Sequence, residues 1–305
     1  MANPELLEIS DLIVDFDAAT LQRRPVAKNA VIEKLQAVGD HQAARIVAAM
    51  PEQNGVLDAE YVDRLLVRVH CEMQRLSEEF QHGRRVLELL TSMLGAAKTC
   101  GQPAPYRIVD IGCGTGYAIR WLAACGALGP DVQLIGVDFN RALIAEARRL
   151  AALERLDCRF EAANAFTLAR PATLFLSTGV VHHFRGEALT EFFRQHHQAE
   201  AWGFAHFDFQ PHVFARPGAW LFHYIRMRES LSRHDGVISA RRAHTAATLL
   251  AAARHSSFVC GMYSTRVGRL PIPRVFHTLL GLRRQGLNGF RQALGRRVGR
   301  LEDMQ

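Results

Sequence analysis

Val109-Asp110-Ile111-Gly112-Cys113-Gly114-Thr115-Gly116 is the stretch that decides the fold. A short apolar strand, Arg107 to Ile111, runs into three glycines at alternate positions, and a helix is expected from Tyr117 to Cys125. Glycine reaches positive φ without steric cost and lets a ligand touch the backbone. A strand, glycine turn and helix in this order lie at the carboxyl edge of a doubly wound sheet, where ligands bind. A dinucleotide site would use G-x-G-x-x-G. Here the residue three beyond Gly114 is Tyr117, and the spacing is G-x-G-x-G with an acid, Asp110, two residues before the first glycine.

Working outward, Gln133 to Asp138 reads as a second strand, and Asn140 is placed to cap a helix that runs to about Arg155. Further strands are expected at Cys158–Glu161, Thr173–Ser177, Ala201–Phe209 and Ser257–Arg266, with helices at Gly186–Gln198 and Ala246–Arg254. Alternating strands and helices imply a parallel sheet covered on both faces. Upstream, Val62, Leu65, Leu66, Val69, Met73, Leu76 and Phe80 recur every three or four positions and share one helix face. Shorter helices are expected at Val31–Val38, Ala43–Met50 and around Val86–Leu94, with a turn at Pro51–Gly55. The chain thus divides into a helical cap over 1–104, a core over 105–266 and a basic tail over 267–305.

The acidic G-x-G-x-G pattern resembles motif I of class I S-adenosylmethionine-dependent methyltransferases of the small-molecule type. The resemblance covers roughly residues 105 to 265, and three further elements follow in that family's order. Leu134-Ile135-Gly136-Val137-Asp138 is a strand ending in an acid. In the family this acid accepts hydrogen bonds from both ribose hydroxyls, as a carboxylate with two oxygens can; otherwise it only caps the next helix. Glu161-Ala162-Ala163-Asn164-Ala165-Phe166 stands where family members often place Asp-Ala beside the adenine. Asn164 keeps an acceptor there, or else simply forms a turn. Phe175 to Phe184, with its Val181-His182-His183 run, resembles the strand-four segment next to the methionine end of the cofactor. The resemblance implies an α/β, Rossmann-like, doubly wound and mostly parallel seven-stranded sheet with an N-terminal helical cap. It implies S-adenosyl-L-methionine as cofactor, bound by Asp110, Gly112, Cys113, Gly114, Gly116, Asp138, Phe139, Asn164, Ala165 and Ser177.

Methyl transfer from a sulfonium needs chiefly alignment, worth about 7–11 kcal/mol of barrier. A base is needed only when the acceptor must lose a proton, and histidine titrates nearest neutrality. Of the 14 histidines, His182 and His183 follow strand four and are the first candidates for a base, packing or loop hydrogen bonding being the alternative. His206 and Asp208 lie two apart on the fifth strand and face one side. They complete the catalytic candidates. A His-x-Asp pair can chelate, but no further ligands are evident and no metal is expected. Residues 210–243 are too long for a plain loop. Phe214, Trp220, Phe222, Tyr224 and Met227, then Arg233-His234-Asp235-Gly236, read as a substrate lid with a glycine turn, or as an extra packed helix.

Composition sets the remaining bounds. The 305 residues are 49% hydrophobic and 22% charged, ordinary for a globular protein, with a net charge of +7. Much of the excess falls in Arg283, Arg284, Arg291, Arg296, Arg297 and Arg300, a solvated helical tail or one that meets an anionic surface. Neither an Asn-Pro-Pro-Tyr type motif nor an RNA-binding module occurs, so no nucleic-acid partner is expected. None of the six cysteines forms C-x-x-C, which fits a reducing, cytoplasmic setting. Met1 to Asp17 has acids and no base, so no secretory leader is expected. No apolar run reaches the ~18 residues of a membrane span. The expected partner is a small, partly apolar acceptor, with oxygen favoured as the target atom, and a homodimer is possible. The rival readings are a nicotinamide oxidoreductase on the same fold, against which Tyr117 counts, and a non-catalytic cofactor-binding protein.

Overall fold

A computed structural model of the chain describes residues 6–168, 171–254, 256–264, 276–302 and 304. The first elements are helices α1 (Ile9–Leu12), α2 (Lys28–Ala37) and α3 (His41–Ala48), the hairpin strands β1 (Glu52–Gln53) and β2 (Val56–Leu57), and helices α4 (Ala59–Glu79) and α5 (His82–Thr99). Then come β3 (Tyr106–Ile111), α6 (Tyr117–Cys125), β4 (Val132–Asp138), α7 (Arg141–Leu153), β5 (Arg159–Ala162), β6 (Leu174–Thr178), α8 (Gly186–Gln198) and β7 (Gly203–Phe209). The chain continues through α9 (Ala215–Arg226), α10 (Ser230–Arg242), α11 (Ala246–Ala253), β8 (Val259–Tyr263), β9 (Phe276–Leu282), α12 (Leu287–Leu294) and β10 (Leu301–Glu302). Among the described residues no helix is long and apolar enough to cross a membrane.

Two units emerge, Met1–Leu76 with Pro211–Arg242, and Ser77–Gln210 with Ala243–Gln305. The expected cap boundary at 104 moves back, because α5 belongs with the sheet. Its Val86, Leu89, Leu90, Met93 and Ala97 are buried in the same core as Ile119 and Leu122 of α6 and Phe290 of α12. The expected insertion at 210–243 belongs instead with the N-terminal helices.

The second unit is built on one sheet in the order β10-β8-β9-β7-β6-β3-β4-β5. The five strands from β7 to β5 are parallel, and β9, β8 and β10 add antiparallel pairs. Among the described residues eight strands replace the seven expected, the extra one being the two-residue edge strand β10. One face is covered by α5, α6, α7 and α12, the other by α8 and α11. Phe175, Phe192, Phe193 and Phe204 are fully buried on the second face. Each contributes roughly 1.5–3 kcal/mol through removal from water. Asn140 caps α7 as its position suggested, its side chain accepting from Ala142 and Leu143 N–H.

The basic tail expected over 267–305 is corrected. Phe276-His277-Thr278-Leu279-Leu280-Gly281-Leu282 is a fully buried strand set between β7 and β8. Its continuous apolar run shows no alternation, as for any strand buried on both faces. The arginines that follow are partly structural, since Arg300 and Arg297 reach Glu88 of α5 at 2.8 and 3.5 Å. Residues 265 and 266 of the late strand, and 267–275, lie outside the described residues.

In the first unit, Asn54 and Gly55 at φ +54° and +79° turn the β1–β2 hairpin, the preference of a two-residue N-G turn. The expected glycine turn at Arg233–Gly236 is corrected as well: these residues lie inside α10. Its inward side mixes Leu231 and Ile238 with polar residues, and the polar groups tie it to the N-terminal segments. Asp235 accepts the N–H of Ile9 and Ser10 at 2.9 and 2.8 Å, capping α1 from outside. His234 bridges Asp235 (Nδ1, 2.7 Å) and Asp40 (Nε2, 2.8 Å), and Asp40 also caps α3 through Ala43 N–H. Arg242 pairs with Asp11 at 2.6 Å and the buried Glu8 at 3.3 Å. On α4, buried Glu72 accepts the backbone N–H groups of Arg228 and Glu229 at the start of α10.

Burial works against a charged His234, but the Asp235 and Asp40 carboxylates outweigh it and raise the pKa above 6.5. A pKa raised on folding gives stability that is complete below the unfolded value and lost as pH climbs through the folded one. His234→Gln is therefore expected to cost most stability below pH 6.5 and progressively less above it. Urea unfolding of both proteins across that window checks this, and a stability gap that does not change with pH contradicts it.

Candidate functional site

Sequence order reverses in the sheet at β3, which has β4 on one side and β6 on the other. Ligands of open α/β sheets bind at the carboxyl ends of the strands beside such a reversal. The glycine loop occupies that place. Gly112 and Cys113 both donate to Val137 O of β4, at 2.8 and 3.0 Å, and Gly116 N–H closes a turn on Cys113 O at 2.8 Å. Gly112, Gly114 and Gly116 have φ of +68°, +54° and +78°, so any other residue there is strained. Two of them also allow close approach. A Cβ on Gly112 would lie 2.7 Å from Val180 of the loop after β6, and one on Gly116 2.3 Å from the Phe160 ring. The Cys113 thiol lies over Gly136. Burial, then Asp138 and Asp110, push its pKa well up, so it stays a thiol.

Two carboxylates face the loop. Asp138 accepts Gly114 N–H on one oxygen and Asn140 N–H on the other, both at 2.9 Å. These bonds orient the group without exhausting the about four lone pairs of a carboxylate. Phe139, next in sequence, is 45% exposed. Asp110 is 1% exposed, and its Oδ1 meets no hydrogen-bond donor among the described residues. Burial first, and Asp138 second, push its pKa well above the carboxylate range. An orphaned buried acid is costly unless a donor or a cation completes it. S-adenosylmethionine carries a ribose diol, an ammonium and a sulfonium, so the two carboxylates beside this loop fit that cofactor as acceptors.

Asn164 follows β5, and its Oδ1 accepts Phe166 N–H at 2.9 Å while its carbonyl accepts Thr167 N–H. The structure thus shows the turn-forming role. Ala165 is half-buried at the edge of the second core.

Ser177 and His206 are corrected. Both were expected beside cofactor or acceptor, and both are interior, at 0% and 1% exposure. They are register partners across β6 and β7. His196 Nδ1 lies 2.7 Å from the carbonyl of Phe192, which can only accept, so that nitrogen carries the proton. His196 Nε2 then accepts from His206 Nε2 at 3.0 Å, and His206 Nδ1 accepts from the Ser177 hydroxyl at 2.8 Å. Both rings are neutral: burial lowers the pKa of His196 to about 4, and that of His206 well below 6.5. With both ring nitrogens engaged, His206 is no base, and it does not share a ligand position with Asp208.

His182 and Asp208 do come together. Asp208 accepts His182 N–H on one oxygen and His182 Nδ1–H on the other, both at 2.8 Å, and takes Phe209 N–H at 2.7 Å as well. Burial alone would raise the Asp208 pKa, but His182 and these hydrogen bonds hold it at about 2. The carboxylate fixes the ring orientation and directs the neutral tautomer toward a lone pair on Nε2, the relation of orienter to base. His183 is half-buried, its ring 4.4 Å from that of His182.

Sequence reasoning missed two histidines. His277 on β9 stands opposite Asp208 in register, and its Nε2 finds no hydrogen-bond partner among the described residues. His244, just before α11, donates to Phe184 O at 2.9 Å and has Arg185 at 3.3 Å from its other nitrogen. Burial lowers both pKa values against the opposing pull of Asp208. His277 lay in the stretch taken for a tail, so only the apolar run around it could have placed it in the sheet.

A family model described as a methyltransferase domain matches residues 108–200. Over 82 residues the chain is 38% identical to a trans-aconitate 2-methyltransferase of Pseudomonas paraeruginosa (strain DSM 24068 / PA7), covering 26% of this chain and 27% of that one. The corresponding enzyme of Acidovorax sp. (strain JS42) is 38% identical over 71 residues, 23% of this chain and 24% of its own. The chain thus spans about a quarter of the length of these curated relatives. A crystal structure of the plantazolicin methyltransferase BamL, in complex with a triazolic desmethylPZN analog and SAH, superposes with a TM-score of 0.51 at 12% identity, over 72% of this chain and 96% of that one. The fold is shared with that structure, and residues 108 to 200 are similar to a methyltransferase domain.

Proposed function

We propose that the chain transfers a methyl group from S-adenosylmethionine to an oxygen of a small, partly apolar acceptor. The observation that carries this reading is the buried His182–Asp208 pair, at the ends of the next two strands, β6 and β7, on the same edge of the sheet as the glycine loop. Asp138 takes the ribose diol, and Phe139 offers its exposed ring to the adenine. Asn164 and Ala165 line the adenine edge. The orphaned carboxyl of Asp110 faces the cationic end. The cofactor supplies a methyl already activated by positive sulfur. His182 Nε2 would take the proton of an acceptor hydroxyl or acid placed to receive that methyl from the bound cofactor. Asp208 keeps the ring turned and stabilises the charge it gains, as the orienting acid of a histidine base does. His183 lies beside that ring and can orient the acceptor. Oxygen fits best because phenols and acids hold a removable proton. A small acceptor agrees with the trans-aconitate named for the relatives, and free cysteines agree with a cytoplasmic setting.

Asp138→Ala is expected to weaken binding of S-adenosylhomocysteine by about 1.5–3 kcal/mol, the scale of a charged hydrogen bond. Calorimetry on the folded variant reads this, and unchanged affinity removes Asp138 from the site. Once an acceptor is in hand, His182→Gln should lower turnover about 10²- to 10⁴-fold and abolish the rising limb of the pH–rate profile. Asp208→Asn should also slow turnover, while the same change at His206 should act mainly on melting temperature. Wild-type rate and pH profile in His182→Gln would place the base elsewhere.

A further inference from the structure

Six of the nine exposed large hydrophobics described fall within thirteen residues: Val213, Phe214, Trp220, Leu221, Tyr224 and Ile225, each more than half exposed. Single exposed hydrophobics are ordinary, but a contiguous patch marks a contact surface. This one is contiguous. Trp220, Leu221, Tyr224 and Ile225 share one face of α9 by their helical spacing, and the Trp220 and Tyr224 rings stack at 5.5 Å. Phe214 and Val213 extend the stripe one turn before the helix, which is about 18 Å long. On its opposite side α9 packs along α10. His223 is buried against Gly236, where a Cβ would meet its ring at 2.0 Å, and Met227 is buried at the C-cap.

The flanking charges select the partner. Residues 211–228 contain Arg216, Arg226 and Arg228, all exposed, and no carboxylate. Arg233 lies over the Tyr224 ring at 5.5 Å. The next acid in sequence, Glu229, is paired with Arg68 at 2.6 Å. A second copy joined about a two-fold axis would bring this arginine-flanked stripe against itself, cation against cation. An apolar face carrying tryptophan and tyrosine, rimmed by arginine, fits the interface of a bilayer, where the rings sit among headgroups. We infer that α9 docks on an anionic lipid surface, its Trp220–Ile225 face entering the headgroup boundary and its arginines meeting lipid phosphates. The helix lies on the membrane and does not cross it. Docking is independent of methyl transfer.

The test is sedimentation of the full chain with vesicles of phosphatidylcholine mixed with phosphatidylglycerol, and with vesicles of phosphatidylcholine alone. Binding to the mixed vesicles is expected, weakening with salt, with a blue shift in tryptophan emission. Trp202 is buried and Trp121 half-buried, so the shift reports on Trp220 and should vanish in Trp220→Phe. The double variant Leu221→Glu, Ile225→Glu should abolish binding with little change in melting temperature, since both side chains are exposed. Arg226→Gln should bind about fivefold more weakly, the share of one basic residue near an anionic surface. If the double variant fails to fold, Arg226→Gln and the salt series decide. No binding of the wild type to the mixed vesicles, or equal binding to both kinds, overturns the inference. So does self-association in the ultracentrifuge, lost in the double variant, without vesicle binding.

Discussion

The hydrogen bond from Gly114 N–H to the Asp138 carboxylate joins those from Gly112 and Cys113 N–H to Val137 O in tying the loop after β3 to the end of β4. Everything at the cofactor edge is arranged around it. The bond requires the loop to turn back on itself, which sets positive φ at three glycines and lets the chain pass close to Val180 and Phe160. It also orients the carboxylate before any ligand arrives, so little side-chain freedom is left to lose on binding. The same carboxylate lies near enough to Asp110 to disfavour a second negative charge there. The site therefore holds one oriented carboxylate and one buried acid whose Oδ1 meets no donor among the described residues. A ligand with both a diol and cationic groups satisfies both at once.

The other half of the edge shows how two adjacent histidine systems diverge. His206 and His182 are both buried and both hydrogen-bonded. The first has neutral partners on both nitrogens and sits among Phe192, Phe193 and Phe204, so it is locked neutral. The second has the Asp208 carboxylate on Nδ1, which fixes the ring orientation and turns Nε2 away from that partner. Chemistry at this edge is thus decided by the neighbours of each ring and not by residue type.

Much of this was legible in the sequence because short-range chemistry wrote it there. The G-x-G-x-G turn, the acid ending β4, the Asn140 cap and the period of α4 each depend on residues a few positions apart. Helix α8 falls at Gly186–Gln198, as its pattern indicated. Other features depend on partners distant in sequence. Strand β9 shows no alternation because both its faces are buried, and nearby arginines drew attention to charge. Helix α10 hides because it buries Ser232, His234, Asp235, Ser239 and Arg242 alongside Leu231 and Ile238, which blurs the pattern that reveals a helix. Their partners, Ile9, Asp40, Glu8 and Asp11, lie some two hundred positions away. Ser177 and His206 looked functional by position on their strands, and only the register with α8 behind them shows a hydrogen-bond chain that ends in the interior.

The claim at the centre is that the loop from Gly112 to Gly116 and Asp138 bind the adenosyl sulfur cofactor and not a nicotinamide dinucleotide. Isothermal titration of the wild-type chain with S-adenosylhomocysteine, and separately with NADH, tests it most directly. Saturable binding of S-adenosylhomocysteine at one site, with no heat from NADH, is the predicted result. Binding of NADH, or of neither ligand by a folded protein, would contradict it.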